Sequence, residues 1–158
     1  EEGLTYFLCI TTFKKTGLMN PTYKHRIPVQ IRFNDIDRLN HVNNACYHSF
    51  FELGRVKYFN EILNINIDWT KNGFVLARTE IDHIHPIFLN DEVYCYTKVI
   101  KLGTKSLTVG NVISKIVDGN IIECAKGIGV LVAMDYITNS SITIPELWSK
   151  NIEDFENN

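Results

Sequence analysis

The residues of this chain best equipped for chemistry lie between Arg32 and Arg55, in the stretch RFNDIDRLNHVNNACYHSFFELGR. An apolar run up to Phe33 breaks into Asp35, Asp37, Asn40, His41, Asn43 and Asn44 before an aromatic-rich helical pattern begins. A carboxylate in that position can act as a nucleophile or as a general base on water. It can equally cap the helix behind it, since Asp is common just ahead of helices. The helix entrance has a resource of its own. Its first backbone N–H groups have no intrahelical acceptor, and the helix dipole leaves partial positive charge there.

The elements that must hold this cluster follow from periodicity. Residues 27–33, IPVQIRF, alternate as a strand, and Pro28 places it at a sheet edge. Asn43 or Asn44 suits the N-cap of a helix in which Tyr47, Phe50, Phe51, Gly54, Tyr58 and Ile62 recur at helical spacing. Cys46, Leu53, Val56 and Phe59 add apolar surface on other sides, so the helix is expected to be buried round much of its circumference. Such a helix needs a sheet wrapped round it. Residues 74–88 put Val75, Ala77, Thr79 and Ile81 on one face and Arg78, Glu80 and Asp82 on the other. DEVYCYTKVIKL, SLTVGNVISKIV and NIIECAKGIGVLVAM follow as long strands, separated by short breaks at 89–91, 103–105 and 118–120. IPELWSKNIEDF closes the chain as a short helix with Pro145 in its first turn. The expectation is an α+β fold, a five-stranded antiparallel sheet around one long central helix, forming one domain over residues 21–158. Residues 1–20 read as an N-terminal extension of unclear origin, with Met19 as a plausible start, and carry no assigned function.

Composition narrows the partners. The 158 residues are 45% hydrophobic with a formal charge of −2, and no block of Lys or Arg forms a stripe that could track a phosphate backbone, so nucleic acid is not expected. Cys9, Cys46, Cys95 and Cys124 lack ligand spacing, which reads as free thiols in a reducing cytoplasm rather than a disulfide or zinc site. GIGVLVAM is too short to span a membrane, and LTYFLCI is too short and too acidic at its flanks for a signal peptide.

Taken together, Asp35, Asp37, Asn40, His41, Val42, Asn43, Asn44 and Tyr47, then Phe51, Glu52 and Arg55, resemble the motif of hotdog-fold acyl-CoA thioesterases of the 4-hydroxybenzoyl-CoA thioesterase-like group. IHPIFLNDEV, carrying Pro86 and Asp91, resembles that family's junction between second and third strands. Asn40 stands where the family pattern has Gly, and Asn is the next most tolerant residue for positive φ.

The resemblance implies hydrolysis of acyl-CoA to free acid and CoA, with no cofactor and no metal. It makes Asp37 the catalytic carboxylate and the backbone N–H of Asn44, seven residues on, the oxyanion donor. His41 would position water or hold the loop. Asn43 reads as the helix cap or a substrate contact, and Tyr47 as a substrate neighbour. Glu52 and Arg55, three apart, are expected to pair as ions, with Glu52 as a weaker candidate base. His83 and His85 imitate a metal pair but fit better as histidines on the Thr79 and Ile81 face, with His83 near substrate. Lys101, Thr104, Lys105 and Ser106 offer contacts to the CoA phosphates against a default of solvated turn residues. An acyl-carrier-protein thioester remains an alternative substrate, and a non-catalytic acyl-CoA-binding module an alternative function. An exposed strand edge predicts a homodimer or dimer of dimers.

Overall fold

A computed structural model describes residues 23–63 and 68–157. The proposed extension over residues 1–20, with Cys9, lies outside the described residues. Strand β1 (His25–Val29) is followed by a short 3-10 turn (Phe33–Asp35), the long helix α1 (Cys46–Ile62), strands β2 (Asn72–His83), β3 (Glu92–Leu102), β4 (Ser106–Val117) and β5 (Asn120–Asp135), a two-residue strand β6 (Ser140–Ser141), and helix α2 (Glu146–Asn157). The strands form one antiparallel sheet in the order β1-β3-β4-β5-β2, with β6 pairing to the end of β5. β1 is an edge strand, which is why Pro28 is tolerated inside it.

The sheet curls round α1. Tyr47, Phe50 and Phe51 pack with Cys95, Ile113 and Ala125 at one end of the helix, and Tyr58, Phe59 and Leu63 with Val99, Leu107 and Leu131 at the other. Between them Gly54 brings the helix backbone against β3. A Cβ at that position would lie 2.7 Å from Cys95 Sγ and 2.8 Å from Thr97 Oγ1, so any side chain would push helix and sheet apart. Asn111 is buried beside this contact and donates to Thr97 Oγ1 at 2.9 Å.

β2 departs from the expected alternation. Pairing steps from Leu76 opposite Leu131 to Arg78 opposite Val130, leaving Ala77 as an unpaired bulge residue. From Gly127 on, the buried residues of β5, namely Gly127, Gly129, Leu131 and Ala133, mark the face turned to α1. Phe74 and Leu76 lie opposite that set before the bulge, and Thr79 and Ile81 after it. Val75 therefore faces away and is exposed, and does not share a face with Thr79 and Ile81. The strand also stops at His83, because the N–H groups of Ile84 and His85 both turn to the carbonyl of Cys124.

The expected burial of α1 holds on the sheet side only. Leu53 and Val56 are exposed in the single chain. Helix α2 covers the far end of the core with Trp148 and Ile152, and the carbonyl of Pro145 accepts the N–H groups of Trp148 and Ser149 at its start. Its Glu156 reaches back, accepting from the Tyr58 hydroxyl at 2.7 Å and from the Val99 N–H at 2.9 Å. That N–H lies just past the end of β1 pairing, so the carboxylate takes the place of a missing strand.

Candidate active site

The polar cluster forms a closed loop between the 3-10 turn and α1. Ile36 and Val42 make an isolated antiparallel bridge. Inside it the Asp37 N–H donates to the His41 carbonyl at 2.9 Å and the Asn40 N–H to the Asp37 carbonyl at 3.0 Å. Asn40 adopts φ +66°, the left-handed conformation that the family's Gly would take freely. The Asp37 carboxylate accepts the Leu39 N–H at 2.8 Å through Oδ1. Its side chain keeps 23% exposure and that of His41 30%, so both can meet a ligand from solvent.

Three anchors fix this loop. Asp35 is buried and accepts from the Arg32 backbone N–H at 2.8 Å and from Arg32 Nη2 at 2.8 Å, and these bonds hold its carboxyl below the usual carboxylate range against the opposing effect of burial. The Asp35 carbonyl accepts the Asn43 N–H at 2.8 Å. Across the site the Ile87 carbonyl accepts the Val42 N–H at 2.8 Å. The segment carrying Ile87 is itself clamped, since Lys115 Nζ lies 2.9 Å from both the Pro86 carbonyl and Asp91 Oδ2. The alternating pattern of β4 marks Lys115 only as a strand residue, so nothing in its own segment announces the clamp.

At the helix entrance the expected cap is displaced by a residue. The α-helix proper begins at Cys46 with Ala45 at its boundary, and Asn43 caps the preceding turn, its Oδ1 accepting the Ala45 N–H at 2.9 Å. The carbonyls of Asn43 and Asn44 take the N–H groups of Cys46 and Tyr47. The backbone N–H of Asn44 has no acceptor among the described residues. A donor held by bonds on both sides and left open itself is preorganised for an incoming oxygen.

Tyr47 is buried in the first turn of α1, its hydroxyl pushed up to about 12 mainly by burial. Its ring meets His83 edge-on, with 4.6 Å between centroids and 90° between planes, which brings the end of β2 to the helix entrance. His85 turns elsewhere, with Nδ1 2.9 Å from the Glu123 carbonyl, so the two histidines do not share a ligand position. Among the described residues no three His, Cys, Asp or Glu side chains converge as a metal site.

One other grouping differs from expectation, and a second lies apart from Asp37. Glu52 and Arg55 form no ion pair among the described residues; Glu52 is exposed, while Arg55 is buried. Lys101, Thr104, Lys105 and Ser106 sit at the opposite end of the sheet from Asp37. β3 starts beside the Asp91 clamp and runs 11 residues, roughly 35 Å, with Lys101 near its far end and the other three beyond it. There the Thr104 carbonyl accepts the Ile144 N–H, and Lys105 Nζ lies 3.4 Å from the Ser141 carbonyl. Within one chain this turn is not part of the Asp37 site.

Residues 31–152 match the model of the thioesterase-like superfamily. The chain belongs to that superfamily. A thioesterase from Thermus thermophilus, solved in complex with coenzyme A and Zn, is 34% identical, with a TM-score of 0.75 over 87% of this chain and 98% of that one. A mutant 4-hydroxybenzoyl-CoA thioesterase solved with 4-hydroxybenzoyl-CoA superposes with a TM-score of 0.74 over 81% of this chain and 97% of that one; at 13% identity it shows the shared fold. The sheet curled round α1 is thus the hotdog fold of this superfamily. The uncharacterized protein YsmA of Bacillus subtilis (strain 168) is 30% identical over 81 residues, 51% of this chain and 54% of that protein, so the match spans about half of the relative's length. Among the described residues no helix is long and apolar enough to cross a membrane.

Proposed function

We propose that this thioesterase-like protein hydrolyses acyl-CoA thioesters to a free acid and CoA, with Asp37 delivering the attack and the Asn44 N–H receiving the carbonyl oxygen. The observation that carries the reading is the open Asn44 N–H at the helix end of the loop that holds an accessible Asp37 carboxylate. As the carbonyl carbon becomes tetrahedral its oxygen gains negative charge, and a fixed donor at a helix entrance stabilises that charge more than the ground-state carbonyl. Asp37 can take a proton from water, so that hydroxide adds to the carbon, the C–S bond breaks and the thiolate leaves with a proton. It can instead add directly, forming an anhydride that water then opens. His41, beside Asp37, steadies the water or the loop. Asn43, Tyr47 and His83 border the acyl group.

Two copies complete this picture. β2 is an edge strand with its outer side unpaired among the described residues, and Leu53, Val56 and Val75 add exposed apolar surface on α1 and β2. Pairing two β2 edges about a two-fold axis runs them antiparallel, so the Asn72 end of one copy meets the His83 end of the other. The Lys101–Ser106 turn shares the Asn72 end, because Ser106 and Val75 both pair with Val132. Only from a second copy can that turn reach phosphates of a CoA bound at Asp37. Light scattering on the active protein is expected to give at least twice the chain mass of 18.2 kDa. A fully active species of single-chain mass at micromolar concentration would contradict the two-copy site.

The function itself is tested with a panel of aliphatic and aromatic acyl-CoA esters, plus acyl-carrier-protein thioesters, and a thiol-reactive dye. Release of free thiol above the uncatalysed rate for at least one acyl-CoA is expected. Turnover of the carrier-protein esters alone would reassign the substrate, and no turnover of any would remove the hydrolase reading.

A further inference from the structure

Arg55 lies on the row of α1 that carries Phe51 and Phe59, the side turned to the sheet. It keeps only 7% exposure, yet no hydrogen-bond acceptor or carboxylate lies within bonding distance of it among the described residues. Burial draws its guanidinium below the usual arginine range, with exposed Glu52 opposing that shift through space. Its guanidinium nitrogens keep contact with solvent where the side chain lines the cavity described next, and its five N–H donors form a fork shaped for a planar anion. The same side chain lines a cavity of about 320 Å³ walled by Phe59, Trp69, Phe74, Leu76 and Leu131. That volume is at the small end of organic-ligand sites, and such sites pair apolar walls with one or two fixed polar groups. The bulge at Ala77 helps to shape it by turning Leu76 inward over Gly129, where β5 has no side chain.

We propose that this cavity binds the carboxylate of an amphipathic organic acid, the acid's apolar body lying against Phe59, Phe74 and Leu76 and its two oxygens on the Arg55 guanidinium. A carboxylate suits the site better than a phosphate. One guanidinium balances one negative charge, the apolar lining suits a ligand with an apolar body, and Glu52, which also lines the cavity, repels a second charge. The cavity is separate from the reaction centre of its own chain, since Arg55 lies 11 residues beyond Asn44, about 16 Å along a helix axis. The choice of natural ligand rests on the thioesterase reading, which offers two sources of this chemistry: the released acid, or a carboxylate at the far end of an acyl chain.

Titration calorimetry of the full chain with decanoate, and separately with decanol, tests binding without any hydrolysis. Saturable binding of decanoate and at least about tenfold weaker binding of decanol are expected, and Arg55→Met should weaken decanoate to the level of the alcohol. Leu76→Trp fills the cavity and leaves Arg55 in place, so it should also abolish binding and keeps the test valid if Arg55→Met fails to fold. Equal affinities for acid and alcohol, or unchanged binding in either folded variant, would overturn the proposal. So would absence of decanoate binding together with dissociation of an Arg55→Met oligomer, which would assign those donors to a second copy. The sources separate by kcat/KM for an acyl-CoA and its ω-carboxyl counterpart. Loss of ω-carboxyl preference in Arg55→Met supports the distal carboxylate, and an unchanged ratio beside lost decanoate binding supports the released acid. Lack of any hydrolysis would remove the function proposed above and leave the calorimetric result standing.

Discussion

His41 places its Nδ1 3.8 Å from Oδ1 of Asp37 and 3.3 Å from the carbonyl of Val42. A carbonyl can only accept, so this geometry favours the tautomer with the proton on Nδ1, leaving Nε2 open as an acceptor. The longer distance to Asp37 is outside hydrogen-bond range, which argues for a histidine that orients water or loop rather than one that passes protons to the carboxylate. His41→Ala is therefore expected to lower kcat by about tenfold, well short of the loss on removing the Asp37 carboxylate. Steady-state kinetics on both variants decide it: equal losses would make His41 an essential partner.

The loop turns on Asn40. Its φ of +66° is accessible to Gly and Asn and costly for a β-branched residue. Asn40→Gly should leave kcat within about twofold, whereas Asn40→Val should cost about 1–2 kcal/mol and lower Tm by about 2–6 °C while reducing kcat. Calorimetry and turnover measured on the same preparations check this. A Val variant as stable and active as the parent would show that the loop does not depend on the left-handed residue.

Acid sensitivity should come in part from His25. It is buried edge-on against Tyr58, and among the described residues neither ring nitrogen makes a hydrogen bond of good geometry, although Glu61 Oε2 lies 3.3 Å from Nε2. Burial lowers its pKa, with Glu61 opposing. With a folded pKa below the unfolded value of about 6.5, the unfolded chain binds the proton first, so stability is unaffected above that pH and falls as pH drops below it. Chemical denaturation at pH 7.5 and 5.5 should show that fall in the parent, and a smaller one in His25→Phe. A Phe variant with the same pH slope would exclude His25 as a source.

Much of this fold could be read from residue order because local preference and tertiary role agree there. The alternation in β3, β4 and β5 and the Asp118–Asn120 turn mark the meander, Pro28 marks its edge, and Asn40 is the residue type that its backbone conformation requires. The misreadings share a physical origin. Three residues between Glu52 and Arg55 put them near each other but do not say which way each points. α1 turns Arg55 toward the sheet with Phe51 and Phe59, and the pair does not form. The bulge at Ala77 has no compositional mark, yet it reverses the faces of every residue before it. Which copy's Asp37 the Lys101–Ser106 turn can approach is a separate matter, set by strand direction, which the turn's own chemistry does not encode. The clamp of Lys115 on Pro86 and Asp91 joins residues 24 to 29 positions apart and emerges only once β3 and β4 pair.

The central claim is that Asp37 delivers the attack on a thioester. Asp37→Asn keeps the size of the side chain and the carbonyl oxygen that can accept the Leu39 N–H, and so should leave the loop folded. With the best acyl-CoA substrate of the panel, kcat is expected to fall by about a hundredfold or more with KM little changed and Tm within a few degrees of the parent, as when a group acting in the transition state is removed. A folded Asp37→Asn protein that turns over at close to the parental rate would contradict the account.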